Sequence, residues 1–227
     1  MRHLTAVALL ALLSASMASA QTSKPEPIDI RIGYLRAYAP SLALSVLDVP
    51  PRDEGVAGGN VAIADNNTTG GFLGQKFSLD VTEVKPDADV VATFQEMVES
   101  GDRYVLADIS AKQLLSIADI ARDSGVLIFN VGATDDSLRE EECRANVFHT
   151  VPTRSMLADG LAQYLIWKQW PRWALIYGSH DNDRLFADAL RRAATRFGGE
   201  IVAEKLFEDT GSEVNTFQFS GGVRYEF

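Results

Sequence analysis

Short apolar runs and amphipathic runs take turns along this chain from residue 28 onward, and that alternation restricts the available folds more than any single motif. IDIRIGYLRA (28–37) reads as a strand. DEGVAGGNVAIADNN (53–67) reads as a helix with Val56, Asn60, Ile63, Ala64 and Asn67 on one stripe. Its glycines weaken it in isolation, so its place between two strands assigns it. KFSLDVTEV (76–84) alternates as a strand, and Val90, Val91, Phe94, Met97 and Val98 share the next helical face, which stops at Gly101. RYVLADI (103–109) is a third strand, Ser110 caps a helix carrying Leu114, Ala118 and Ala121, and VLIFNVGA (126–133) is a strand apolar enough for burial on both faces. After NVFHTVP (146–152) comes a helix with Met156, Leu157, Leu161, Tyr164 and Leu165 inward. WALIYGSH (173–180) is another buried strand. A helix with Leu185, Phe186, Ala189, Leu190 and Ala193 on one face, and the alternating EIVAEKLFE (200–208), complete the series. Strand and helix in strict succession predict the α/β class, with mostly parallel open sheets and flanking helices.

The ends bound the compartment. MRHLTAVALLALLSASMASA (1–20) has the basic start, apolar centre and small-residue cut of a secretory signal peptide, too short to span a bilayer. With export expected and Cys143 the single cysteine, no internal disulfide can form, so a hydrophobic core must hold the fold. Loss of Arg2 with the leader takes the formal charge from −10 to −11, a balance that repels nucleic acid.

DNNTTGGFLGQKFSLDV (65–81) concentrates turn-forming residues between a helix and a strand. It lacks the Gly-Lys-Ser/Thr ending of a phosphate loop and it enters a strand, so phosphate binding is rejected. Asn66 and Asn67 fit a glycosylation sequon, which is common by chance. The remaining reading is a helix cap and turn, with asparagines and glycines at positive φ and Phe72 and Leu73 tucked inward.

This stretch, taken in order with FQEMVESG, ADIARDSGVLIFNVGATD and VFHTVPTRSMLADGLAQYL, resembles the type I periplasmic solute-binding proteins of the branched-chain amino acid transport class. The closest likeness is to the divergent branch found beside quinoprotein alcohol dehydrogenase systems. Beyond the leader (1–20), the resemblance implies a first lobe (28–152) and a partial second lobe (153–212), and its pattern stops before an atypical tail (213–227). It also implies a small solute held between the lobes, an inner-membrane ABC permease as partner, a periplasmic location, no cofactor and no catalysis. A sensory or accessory binder of a quinoprotein alcohol oxidation system, using the same lobes, stands as the alternative; behind it come an outer-membrane-targeted fragment and a hydrolase using Ser179 or Cys143.

Ligands of open α/β sheets sit beyond the carboxyl ends of the strands. Ser110 stands there after the third strand, as a ligand contact or as a simple cap. Gly132, Ala133 and Thr134 follow the fourth strand, and the resemblance assigns Ala133 and Thr134 to ligand contact. Ser179, His180 and Asn182 face the crevice from the second lobe. Two departures count against an aliphatic amino acid: the family's Gly-Pro-x-Ser is ADIS here, and an aromatic-glycine pair near Asn182 is absent. The acidic residue that meets the ligand's ammonium in the family has no counterpart in this sequence.

Ser179-His180-Asp181 spells a triad, but neighbours along a chain point in different directions. His149 and His180 lie in separate elements, so no metal site is expected, and His149 reads as a core residue. Asp135, Asp136 and Glu140 to Glu142 read as a solvated acidic loop. EVNTFQFSGGVRYEF (213–227) alternates like the closing strand of an outer-membrane barrel, yet a barrel needs about eight strands. An accidental tail beside an incomplete second lobe is the expectation, with exposed apolar sheet that invites self-association.

Overall fold

The computed structural model describes residues 26–37, 51–85 and 88–207. The leader, the segment containing Pro40 and Pro50, and the aromatic tail lie outside the described residues. Among the described residues, seven strands and five α-helices follow one another: β1 (Ile28–Ala37), α1 (Val56–Leu73), β2 (Gln75–Val84), α2 (Val90–Glu99), β3 (Tyr104–Asp108), α3 (Ala111–Ala121), β4 (Leu127–Asn130), β5 (Val147–His149), α4 (Arg154–Trp167), β6 (Arg172–Gly178), α5 (Asp181–Phe197) and β7 (Glu200–Phe207). A short 3-10 turn (Asp136–Arg139) lies between β4 and β5.

The first five strands form one parallel sheet in the order β2-β1-β3-β4-β5, and β6 pairs with β7, also in parallel. The connections from β1 move outward to β2 and then back across β1 to β3. Helices leaving β1 and β3 therefore diverge, and the carboxyl ends of these two strands open a crevice, the topological switch point. Two apolar cores accompany the sheets. Leu35, Phe94, Val105, Leu114, Ile117 and Ile128 centre the first; Ala162, Trp173, Leu175, Leu190 and Ala193 centre the second.

Helix caps follow the side chains that compete for backbone amides. The Asp89 carboxylate accepts from Val91 N to begin α2, and Ser110 and Gln113 form a reciprocal capping box at α3. Gly101 and Gly198 take positive φ after α2 and α5. The 65–74 stretch departs from the expected turn. Helix α1 runs straight through Asn66, Asn67, Thr68, Gly70 and Gly71, and only Gly74 (φ 69°) leaves it in the left-handed region. Phe72 points outward at 91% exposure. The cause is the Asn67 side chain, which does not make a turn but grips the neighbouring strand. Its Nδ2 donates to Phe77 O at 2.9 Å and its Oδ1 accepts from Phe77 N at 2.7 Å.

The inward stripe of α1 is Val56, Gly59, Ile63, Asn67 and Gly70, not the stripe through Asn60 and Ala64. Gly70 is buried where an added Cβ would lie 2.8 Å from Gln75 O, whereas one on Gly71 would meet nothing. Gly70→Ala is therefore expected to cost about 1–2 kcal/mol despite its better helix propensity. Gly71→Ala should raise stability by about 0.5–1 kcal/mol. Paired thermal melts read both signs.

Two further expectations shift. In α4 the buried face is Arg154, Ala158, Ala162 and Leu165, while Met156, Leu157 and Tyr164 are exposed. Alanines let α4 lie close on α5, and that packing outweighs the larger side chains in setting the helix phase. In β6, Trp173 and Leu175 are buried, but Ile176 on the other face is 59% exposed. Only one face of this two-stranded sheet is covered among the described residues.

Candidate functional site

The carboxyl edge of the five-stranded sheet holds a cavity of about 500 Å³ at the switch point. Tyr34 and Arg36 line it from β1, Leu106 and Asp108 from β3, Val131 and Gly132 from the loop after β4, and Glu54, Gly55 and Gly59 from the start of α1. This size lies within the range of small-molecule pockets. Tyr34 is buried, and its hydroxyl donates to Asp108 Oδ2 at 3.2 Å. Burial first, then the Asp108 charge and this bond, push the Tyr34 phenol up to about 12, so it stays protonated across the physiological range. Arg36 donates from Nη1 to Arg52 O at 2.7 Å.

The loop after β4 is shaped by a polar residue inside an apolar strand. Asn130, 1% exposed, donates from Nδ2 to Ala133 O at 2.7 Å, and its Oδ1 accepts from Ala133 N at 2.9 Å and Gly132 N at 3.2 Å. These bonds turn the chain at Asn130, which is why β4 ends there rather than running on to residue 133. His149 Nδ1 lies 3.1 Å from Asn130 Nδ2. Burial, and then the Arg139 charge, lower the His149 pKa, which favours the neutral ring that can accept from Asn130. Gly132 presses against β3: a Cβ there would lie 2.5 Å from Asp108 Oδ1 and 3.3 Å from Ile109 N. The β3–α3 turn and the loop after β4 therefore abut.

Arg154, the first residue of α4, is buried and reaches in two directions. Nη1 pairs with Asp135 at 3.0 Å, while Nε and Nη2 both donate to Asn182 Oδ1, at 3.0 and 2.7 Å. Its backbone N donates to Thr134 O at 2.8 Å. One residue thus touches the loop after β4 and the start of α5. Beside it, Asp136 accepts from Ser155 N (3.2 Å), Ser155 Oγ (3.0 Å) and Arg192 Nη2 (3.4 Å). Burial raises the Asp136 carboxyl, but bonds from Thr153 and Ser155 and the Arg192 charge outweigh it and leave its pKa lowered. The acidic loop is therefore not simply solvated. Asp135 and Asp136 tie it to α4 and α5.

The structure brings Thr134 and Asn182 together through Arg154, and Ser110 onto the turn beside Gly132. Several of these groups already have internal partners. The Ser110 hydroxyl lies within its capping box, donating to Gln113 Oε1 at 2.9 Å. Ala133 is buried with its amide held by Asn130. His180, the residue before α5, faces Asp183 at 3.5 Å rather than Asp181, and Ser179 O accepts from Arg184 Nε at 3.2 Å. Cys143 is exposed. Among the described residues, no group of three or more His, Cys, Asp or Glu side chains is placed to hold a metal ion.

Sequence reasoning passed over Tyr34, Asp108, Asn130 and Arg154. Two of them left a trace in the sequence. Asn130 interrupts VLIFNVGA, and Arg154 puts a cation in the first turn of a helix, where the macrodipole disfavours it.

The periplasmic binding protein family model matches residues 52–217, well over half of the chain. The chain belongs to that family. Among relatives, the Leu/Ile/Val/Thr-binding protein of Salmonella typhimurium is 26% identical over 152 residues, covering 66% of this chain and 41% of its own length. The Leu/Ile/Val-binding protein of Escherichia coli K12 is 25% identical over 187 residues, covering 81% and 47%. The solved ABC transporter substrate-binding protein of Desulfitobacterium hafniense superposes with a TM-score of 0.61 at 23% identity, covering 82% of this chain and 52% of that one. The branched-chain amino acid transporter substrate-binding protein of Streptococcus pneumoniae, solved with isoleucine, gives 0.59 at 20%, covering 83% and 52%. These structural likenesses bear on the fold, which is the type I periplasmic-binding architecture of parallel sheet and flanking helices. The chain spans about half the length of the relatives it matches.

Proposed function

We propose that this chain is a solute-binding component of an ABC transporter, holding a small molecule in the periplasm for an inner-membrane permease. Residues 28–152 form the first lobe of this reading and 153–212 belong to the second. The carrying observation is the placement of Arg154, which bonds Thr134 on one side and Asn182 on the other. Loops following strands of the two sheets thereby meet at a single residue, while the switch-point cavity is lined from the same post-β4 loop by Val131 and Gly132. Family membership supports binding rather than catalysis, since the named relatives are binding proteins. Ser110, Ala133 and Thr134 then act from the first lobe, and Ser179, His180 and Asn182 from the second. Closure is driven by whatever additional contacts a ligand makes when both sets of loops reach it.

Thermal-shift screening of the purified chain against amino acids, short alcohols and organic acids tests this reading. A ligand at about 100 times its Kd adds about 2.7 kcal/mol to the folded state, enough for a clear rise in Tm. Thr134→Ala should reduce that rise. An unchanged response in the variant would remove Thr134 from the site, and no response across the panel would overturn the binding reading.

A further inference from the structure

The switch-point cavity has a chemical polarity of its own. Its polar end is built by Asp108 and Tyr34. The phenol has one proton and spends it on Asp108 Oδ2, so the Tyr34 oxygen faces other groups as an acceptor. Asp108 is acceptor-only when ionised, and among the described residues its carboxylate accepts from Tyr34 alone. Glu54 adds a second carboxylate to the lining and Arg36, which donates to the Arg52 carbonyl, a guanidinium, so two carboxylates share the cavity with one cation. The remaining wall comes from Leu106, Val131 and glycines. Such a cavity offers acceptors and negative charge at one end and short apolar walls beside them. An anionic head group would meet the Asp108 charge, whereas a cationic donor would satisfy it.

From this we infer that the cavity between Asp108, Tyr34 and Leu106 takes the head of a small protonated aliphatic amine, with Asp108 as its counter-ion. The inference rests on the solute-binding reading and supplies the substrate class for its first-lobe side. Tyr34 is a positioning residue: its hydroxyl holds one carboxylate oxygen and leaves Oδ1 to the ligand. Gly132 is part of the same arrangement, because a side chain there would collide with Oδ1.

Calorimetric titration of the full chain with n-butylamine, n-butanol and butyrate, three probes of one length and different head charge, tests it. Butylamine should bind at least about tenfold more tightly than butanol, with no measurable butyrate binding. Asp108→Asn, which keeps shape and removes charge, should weaken butylamine by about tenfold or more and leave butanol unchanged. Tyr34→Phe should give a smaller loss. Should Asp108→Asn fail to fold, raising the salt concentration on the unmodified chain replaces it: amine affinity should fall while butanol affinity holds. Equal binding of amine and alcohol, or amine binding indifferent to both Asp108→Asn and salt, overturns the inference. Leucine and valine titrations separate the two levels. Their binding with loss in Thr134→Ala, alongside silence from butylamine, leaves the solute-binding reading standing and removes only the amine assignment.

Discussion

Arg154→Ala should lower stability by about 3–4 kcal/mol and weaken any ligand that needs both halves of the crevice. The guanidinium makes a fork to Asn182, a pair with Asp135 and a stacked approach to the Phe186 ring, 5.7 Å from its centroid. Its side chain is 11% exposed and that of Asp135 28%, so truncation leaves a half-buried carboxylate without its cation. Breaking such a pair from one side is costlier than the net worth of the pair, because the orphaned charge recovers only part of its water. Arg154→Lys is the informative companion. A lysine can neutralise Asp135, but it lacks the planar fork that reaches Asn182, so it should recover only part of the loss. Urea denaturation of the three proteins measures the series. Equal stability of Arg154→Ala and the unmodified chain would show that the contact with α5 is incidental.

The second large effect is expected at Asn130. Asn130→Ala removes the partner of Gly132 N, Ala133 N and Ala133 O together, in a place with little water to replace it. A loss of about 2–3 kcal/mol follows, with faster amide hydrogen exchange confined to residues 131–135. Asn130→Asp is a sharper probe, since it keeps the acceptor but abolishes the donation to Ala133 O and adds a buried charge. It should be at least as destabilising near neutral pH. Were exchange in 131–135 unchanged in both variants, the turn would owe its shape to Gly132 and the β5 contact instead.

These two residues mark where sequence reasoning ran short. The apolar positions that the strands and helices share were legible: Val90, Phe94 and Met97 on α2, and Leu114, Ala118 and Ala121 on α3, are buried as their spacing requires. Helix α1 was misread at its end because Asn and Gly have the same local signature whether they make a turn or pack a helix face. Only the partner strand, with Phe77 between the arms of Asn67, tells the two apart. For α4, large apolar residues suggested one face and small ones took the contact, since a neighbouring helix rewards close approach over side-chain size.

By itself, the sequence determined the order and type of the elements, the α/β class and the strand ends at which loops would cluster. Those follow from periodicity, which records how each residue shares a face with its near neighbours. Tertiary structure decided the chemistry at those ends: that Tyr34 would spend its proton on Asp108, 74 positions away, and that Arg154 would join Asp135 to Asn182, which lies 28 positions beyond Arg154. A buried polar group must find a partner wherever the folded chain brings one, and local spacing holds no record of that choice.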